Sequence, residues 1–222
     1  VASHGEAPSP HIAAWAFLVD FDGTITDLDT FDVLVRRFAS DAVFHETERG
    51  LRHGSVTLRD VMQHQASFVR GTFDEVAALL AREVAIDPTF RPFVERCRAH
   101  DIPVTIVSSG IEPIVRGRMA EIGLDDLPII ANGIDANPSG WRILYRDAAG
   151  NGTDKVAVVH AAQVEGRRVA FVGDGRSDYA AALAADRCFA KRDKNLAHYL
   201  NERGAPYEAF TSFAEIDPAS LL

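Results

Sequence analysis

Asp20 and Asp22 stand two residues apart at the end of the run F-L-V-D-F-D-G-T-I-T, Phe17 to Thr26, and Gly23 and Thr24 break the pattern behind them. In a strand, residues two apart share a face, so both carboxyls can project at one spot where the strand ends. A buried strand has no structural use for paired acids, because an ionised carboxylate out of water needs a partner or a metal. The bland alternative for this stretch is a surface strand end with two solvated acids before a turn. Two more strands end in polar signals, Ser108-Ser109-Gly110 and Gly173-Asp174-Gly175-Arg176-Ser177-Asp178. Taken singly, the first is a loop in which Ser109 or Gly110 caps a helix, and the second is a tight turn with Asp174 and Ser177 capping. Lys155 opens a predicted helix, where a cation opposes the macrodipole; as a solvated surface lysine it would be partly offset by Asp154 beside it.

If Asp20, Asp22, Asp174 and Asp178 meet, they cannot all stay ionised alone. Two carboxylates about 4 Å apart repel by about 4 kcal/mol at an effective dielectric near 20, so such a group holds protons or a cation. Oxygen-only ligands with no His or Cys nearby favour a hard ion, and a site with open positions for phosphate oxygens suits Mg²⁺ better than Ca²⁺ or Zn²⁺.

The elements that must position these residues alternate. Ala14 to Val19 reads as a short buried strand. From Asp29 to about Ile86 the pattern is helical, with Phe31, Leu34, Val35 and Phe38 at three- and four-residue spacing and a capping box at Thr72 and Glu75. From Asp87 helices and strands alternate: helix Pro88 to Ala99, strand Pro103 to Val107, helix Ile111 to Ile122 closed by Gly123. Short strands Pro128 to Ala131 and Arg142 to Tyr145 precede helix Asp154 to Val164, strand Arg168 to Val172, helix Ser177 to Ala185, strand Arg187 to Ala190 and helix Asn195 to Glu202. A loosely defined tail runs from Gly204. Strands alternating with helices argue for a Rossmann-like α/β fold, an open parallel sheet covered on both faces, with ligands outside the carboxyl ends of its strands. The expected organisation is a core of residues 14–28 and 87–222, a helical cap of residues 29–86 inserted after the first strand, and a frayed, disordered leader over residues 1–13.

Composition sets outer bounds. The chain has 222 residues, 47% hydrophobic and 25% charged, enough for one large α/β domain with an insertion. A formal charge of −9 argues against nucleic acid and acidic membrane surfaces as partners, though not against a local pocket for a small anion. No apolar run reaches the length of a membrane span. Cys97 and Cys188 are too few and too far apart for a zinc site or disulfide framework, and they read as reduced structural thiols of a cytoplasmic protein.

On these motifs the sequence resembles the haloacid dehalogenase-like phosphatases, in the phosphoserine-phosphatase-like branch with a helical cap between the first two motifs. Within that branch Cys188-Phe-Ala-Lys, Pro206-Tyr and Phe213 to Ile216 are similar to the methionine-salvage phosphatase that acts on a methylthio-ketopentenyl phosphate. The resemblance implies a Mg²⁺-dependent phosphatase for a small phosphorylated metabolite. Asp20 would form an aspartyl-phosphate, and Asp22 would serve as general acid and base. Metal ligands would be Asp20, Asp174 and the Asp22 carbonyl, with Asp178 supporting the metal or orienting Lys155. Ser108 and Lys155 would hold the phosphoryl oxygens, aided by the backbone N–H groups of Gly23, Ser109 and Gly110. Asp22 separates the chain from the dehalogenases, which lack this second acid, and ion-pumping relatives need membrane helices. Asp29 falls where phosphoserine phosphatases bind the substrate ammonium, and Gln63 where they carry an arginine for its carboxylate. A neutral amide does not replace a bidentate clamp, which turns the expectation toward a neutral polar or cationic leaving group. His45, Arg49, Arg52, His53 and His64 could face the pocket or solvent, and none is given a role. A phosphotransferase or phosphomutase, or a non-catalytic phosphometabolite-binding module, is the alternative; monomer and homodimer stay equally open.

Overall fold

The computed structural model describes residues 14–45, 54–150 and 152–222. Residues 1–13, Arg49, Arg52 and His53 lie outside them, so the leader and those three cap residues stay as expectations.

A seven-stranded sheet runs in the order β4-β3-β2-β1-β5-β6-β7. Its strands are β1 (Trp15–Val19), β2 (Val104–Ile111), β3 (Ile129–Asp135), β4 (Arg142–Leu144), β5 (Arg168–Gly173), β6 (Arg187–Lys191) and β7 (Glu208–Phe210). All neighbours pair in parallel except β4, which is antiparallel to β3. All five residues of β1 are buried, as a strand between two parallel neighbours with both faces covered requires.

Strand alternation divides the core. Phe17 and Val19 face one layer with Phe90 and Phe93 of α4 (Phe90–Ala99) and Val115 and Met119 of α5 (Glu112–Glu121). Leu18 faces the other, with Val159 of α6 (Lys155–Val164), Ala181 of α7 (Tyr179–Ala184) and Leu196 and Leu200 of α8 (Asn195–Arg203). The tail from Gly204 is more ordered than the sequence suggests. It forms β7 and two short 3₁₀ turns, and Phe210, Phe213, Ile216 and Leu221 close the first layer beside Phe90. Its apolar residues lie too irregularly for a helical or strand period, so only packing reveals them.

The helical segment holds α1 (Thr30–Phe38), α2 (Leu58–Ser67) and α3 (Phe73–Glu83). Thr57 with Asp60 and Thr72 with Glu75 form capping boxes at the starts of α2 and α3. The segment leaves and rejoins the sheet through an antiparallel bridge between Thr26 and Ile86, with Asp27 N–H donating to Ala85 O and Asp87 N–H to Ile25 O. Its hydrophobic cluster is not self-contained. Trp141 and Ile143 from the β3–β4 hairpin pack into it with Leu34, Met62, Val76 and Leu80, and the Trp141 indole donates to Gly71 O at 2.9 Å. The late strand β4 thus serves as a seat for helices that lie far before it in the chain.

Candidate active site

The carboxyl ends of β1, β2 and β5 lie side by side, and the three polar signals meet there. Asp20 N–H donates to Val172 O, carrying the β1–β5 pairing one residue past the strand and fixing the direction of the buried Asp20 side chain. Lys155, 2% exposed, places Nζ 2.5 Å from Asp20 Oδ1 and 2.7 Å from Asp178 Oδ1. Its place at the start of α6 is thereby explained: Asp154 caps the helix by accepting from Ala157 N–H, and the lysine turns inward to two acids. Asp178 also holds its own loop, with Oδ2 accepting from the N–H groups of Asp174 and Gly175 at 3.0 and 2.9 Å.

Of the four acids expected to converge, three form a cluster: Asp20, Asp174 and Asp178 have carboxylate oxygens within 4.8 Å of one another. The Asp22 carboxyl stands apart. Its Oδ1 accepts from the backbone N–H and the hydroxyl of Thr30, at 2.8 and 2.6 Å, and its Oδ2 lies 3.5 Å from Ser108 Oγ. The turn between the two acids needs Gly23, whose φ is +76° and where a Cβ would sit 2.3 Å from Asp174 Oδ2. At Gly110 a Cβ would stand 2.7 Å from Asp22 Oδ2.

Ser108 and Ser109 belong to the end of β2 rather than to a helix cap. Ser108 Oγ accepts from Gly110 N–H at 2.9 Å, while the carbonyls of Ser108 and Ser109 are held by Thr153 Oγ1 and Asn132 Nδ2. Thr24 spans the acids, its hydroxyl 3.2 Å from Asp20 Oδ2 and 3.4 Å from Asp174 Oδ1. Thr24, Thr30, Asn132 and Thr153 were not among the sequence candidates. Only Thr24, adjacent to the acidic turn, carried a local signal.

The acids open into a cavity of about 620 Å³ between sheet and helices. Its floor includes Asp20, Asp22, Ser108, Ser109, Gly110 and Asp174, and its helical wall includes Phe31, Phe44, Leu58, Val61, Met62 and Gln65. Asp29 lies at the rim, where its Oδ1 caps α1 by accepting from the N–H groups of Phe31 and Asp32. Gln63 is placed elsewhere: it points to the β4 side of α2, accepting from Ile143 N–H at 3.2 Å, and the amide that reaches the cavity is Gln65. Two residues along a helix turn the direction by roughly 200°, so Gln63 and Gln65 lie on opposite faces of α2. His45 and His64 are exposed.

Electrostatics follow from burial. Loss of water, then the charge of Asp178, holds the Asp20 carboxyl well above the ordinary aspartate range. Burial, followed by Asp178, pushes Asp174 up to about 7. Burial, followed by Asp29, pushes Asp22 up to about 7. Lys155 is held above its ordinary value by Asp178 and Asp20, which outweigh its own burial. When ionised, the three carboxylates outnumber the cations that face them, the buried Lys155 and the exposed Lys194 at 3.9 Å from Asp174, and every donor is oxygen. The arrangement fits a hard divalent cation.

The family model described as haloacid dehalogenase-like hydrolase matches residues 17–183. The chain is 35% identical over 207 residues to Pdp3-interacting factor 1 of Schizosaccharomyces pombe, covering 89% of this chain and 90% of that one. It is 29% identical to the polyol phosphate phosphatase PYP1 of Saccharomyces cerevisiae, covering 89% and 88%. To the 2-hydroxy-3-keto-5-methylthiopentenyl-1-phosphate phosphatase of Brevibacillus brevis it is 28% identical, covering 89% and 90%. Among solved structures, a substrate-bound phosphoserine phosphatase shares the fold, with a TM-score of 0.71 at 18% identity over 92% of this chain and 97% of that one.

Proposed function

The chain belongs to the haloacid dehalogenase-like hydrolases and is a phosphoric monoester hydrolase; from that premise we propose that it cleaves a small phosphate ester through an aspartyl-phosphate on Asp20, with Mg²⁺ held by Asp20, Asp174 and the Asp22 carbonyl and supported by Asp178. The observation that carries this reading is the division of labour between two acids two residues apart. Asp20 lies between Lys155 and Thr24 at the cavity floor, and Asp22, at the same floor, holds its Oδ2 beside Ser108 Oγ.

A carboxylate oxygen of Asp20 attacks phosphorus, forming one O–P bond as the ester O–P bond breaks. The electron pair of that bond stays on the leaving oxygen, which takes the proton held by Asp22. Asp22 then withdraws a proton from water as the water oxygen attacks phosphorus, which returns Asp20 and releases inorganic phosphate. Lys155 and Ser108 hold phosphoryl oxygens, the Ser109 N–H at the end of β2 extends that cradle, and the Gly110 N–H fixes the Ser108 hydroxyl. Bound Mg²⁺ would neutralise charge as anionic nucleophile and anionic phosphate approach. A carboxyl that titrates near neutrality suits both tasks of Asp22.

We take the leaving alcohol to be neutral and polar or cationic, since the described helical wall combines apolar side chains with the Gln65 amide and the acids Asp29 and Asp32. A cytoplasmic location suits two buried thiols that burial pushes up to about 12 and so keeps unreactive. Among the described residues no helix is long and apolar enough to cross a membrane.

Phosphate release from p-nitrophenyl phosphate, with Mg²⁺ and with chelator, tests the reaction. Asp20→Asn is expected to lose on the order of a thousandfold or more in kcat. Turnover indifferent both to chelation and to this substitution would sink the reading.

A further inference from the structure

We propose that Thr30, the first residue of the inserted helices, is the positioning residue that decides which oxygen of Asp22 delivers the proton to the leaving group. The inference rests on the assignment of Asp22 as general acid and adds the device that aims it.

The first turn of α1 accounts for its exposed N–H groups in two ways. Asp29 Oδ1 takes those of Phe31 and Asp32, at 2.8 and 3.0 Å. The N–H of Thr30 is left to Asp22 Oδ1, at 2.8 Å. Because Asp29 caps the helix, the Thr30 hydroxyl is not needed as a cap, and it donates to that same Oδ1 at 2.6 Å. Thr30 is 2% exposed, so the hydroxyl does not exchange this bond for one to water.

An oxygen that accepts two short hydrogen bonds has no room to carry a proton as well. Asp22 must therefore be protonated on Oδ2, the oxygen beside Ser108 Oγ and against Gly110, where even a methyl group would not fit. Ser108 and Gly110, the neighbours of Oδ2, both line the cavity in which the scissile bond must lie. Without the hydroxyl, one backbone N–H remains and the carboxyl can rotate, which spreads the proton over two oxygens. Thr30 also stands just past the Thr26–Ile86 bridge where the helical segment leaves the sheet. The aim of the acid is thus tied to the seating of α1. During the step itself the proton passes from Asp22 Oδ2 to the oxygen released as the ester O–P bond breaks, and Thr30 exchanges none.

The test compares two leaving groups in the full chain with Mg²⁺. An alkoxide must be protonated as it departs, whereas p-nitrophenolate leaves without a proton. The parameter read is kcat/KM, which reports the step that expels the leaving group and excludes the later attack of water common to both substrates. For Thr30→Val, kcat/KM on glycerol phosphate is expected to fall about tenfold or more, against about threefold or less on p-nitrophenyl phosphate, with KM little changed. Thr30→Ser, which keeps the hydroxyl, is expected to restore most of the loss; if the valine variant does not fold, Thr30→Ala carries the same comparison. Equal losses on the two substrates, no loss, or failure of serine to rescue would each overturn the proposal. Asp22→Asn separates the levels. If it discriminates between the leaving groups and Thr30→Val does not, only the role of Thr30 fails; if it does not discriminate, the general-acid assignment fails with it.

Discussion

The floor of the cavity and its helical wall are built by opposite rules. On the floor, charged groups answer one another at short range: Lys155 lies within 2.7 Å of two acids, and Asp178 secures its own loop through two N–H groups. The wall is held by apolar packing, with Trp141 and Ile143 of the β3–β4 hairpin beneath Leu34, Met62 and Leu80. A hydrogen-bonded array fixes atoms to fractions of an ångström, which bond-making requires. Apolar packing conserves volume and tolerates exchange, which suits a surface that selects a leaving group by shape. The floor specifies the reaction, and the wall is where substrates can differ.

The largest effect should come from breaking the floor. Lys155→Met leaves Asp20 and Asp178 buried without their cation, so a loss of about 3–5 kcal/mol in urea denaturation is expected, with a fall in kcat on the order of a hundredfold or more. A variant as stable and active as the parent would mean that the wall, not the charged array, organises the site.

Metal and proton should compete for the same floor. Asp20 and Asp174 are acids raised above their unfolded values, so the fold favours their protonated forms. Their contribution to stability is fully present below the unfolded value and is lost as pH rises, through about 7 for Asp174. Metal-free protein should therefore melt at a lower temperature at pH 8 than at pH 5.5, conditions chosen to lie about one unit or more to either side of that titration. Mg²⁺, which needs ionised ligands, should raise the melting temperature more at pH 8. Calorimetric scans with and without Mg²⁺ read both trends. A metal shift that shrinks with rising pH would remove the carboxylates from the metal site.

The smallest effects divide the wall itself. Gln65→Ala is expected to raise KM about tenfold for the best phosphate ester in a metabolite panel, while leaving turnover of p-nitrophenyl phosphate within about twofold. Gln63→Ala removes only the bond to Ile143 N–H, so KM should hold and stability should fall by about 1 kcal/mol. A KM change at Gln63 rather than Gln65 would reverse the assignment of the helix faces.

Much of the floor was legible because its signals are local. The acids that follow β1, the serines closing β2 and the Gly-Asp-Gly turn at the end of β5 each interrupt an apolar strand, and a sheet brings such ends together by topology. The wall was legible as helices through period and the Thr72–Glu75 capping box, but not as a surface. Gln63 and Gln65 are equally polar in sequence, and only the packing of α2 on β4 shows which of them the cavity receives.

The sequence by itself determined the strand and helix order, the strand-end chemistry and the resemblance to a phosphatase family, because periodicity, caps and motifs act over a few residues. Tertiary structure alone decided which partners meet across long separations. It set Lys155 against Asp20, 135 residues away, turned the Asp22 carboxyl aside to Thr30, folded the tail into the core and seated the helices on β4. Such contacts are chosen by burial and charge compensation in the closed fold, where unpaired ions are costly. No local pattern carries that constraint.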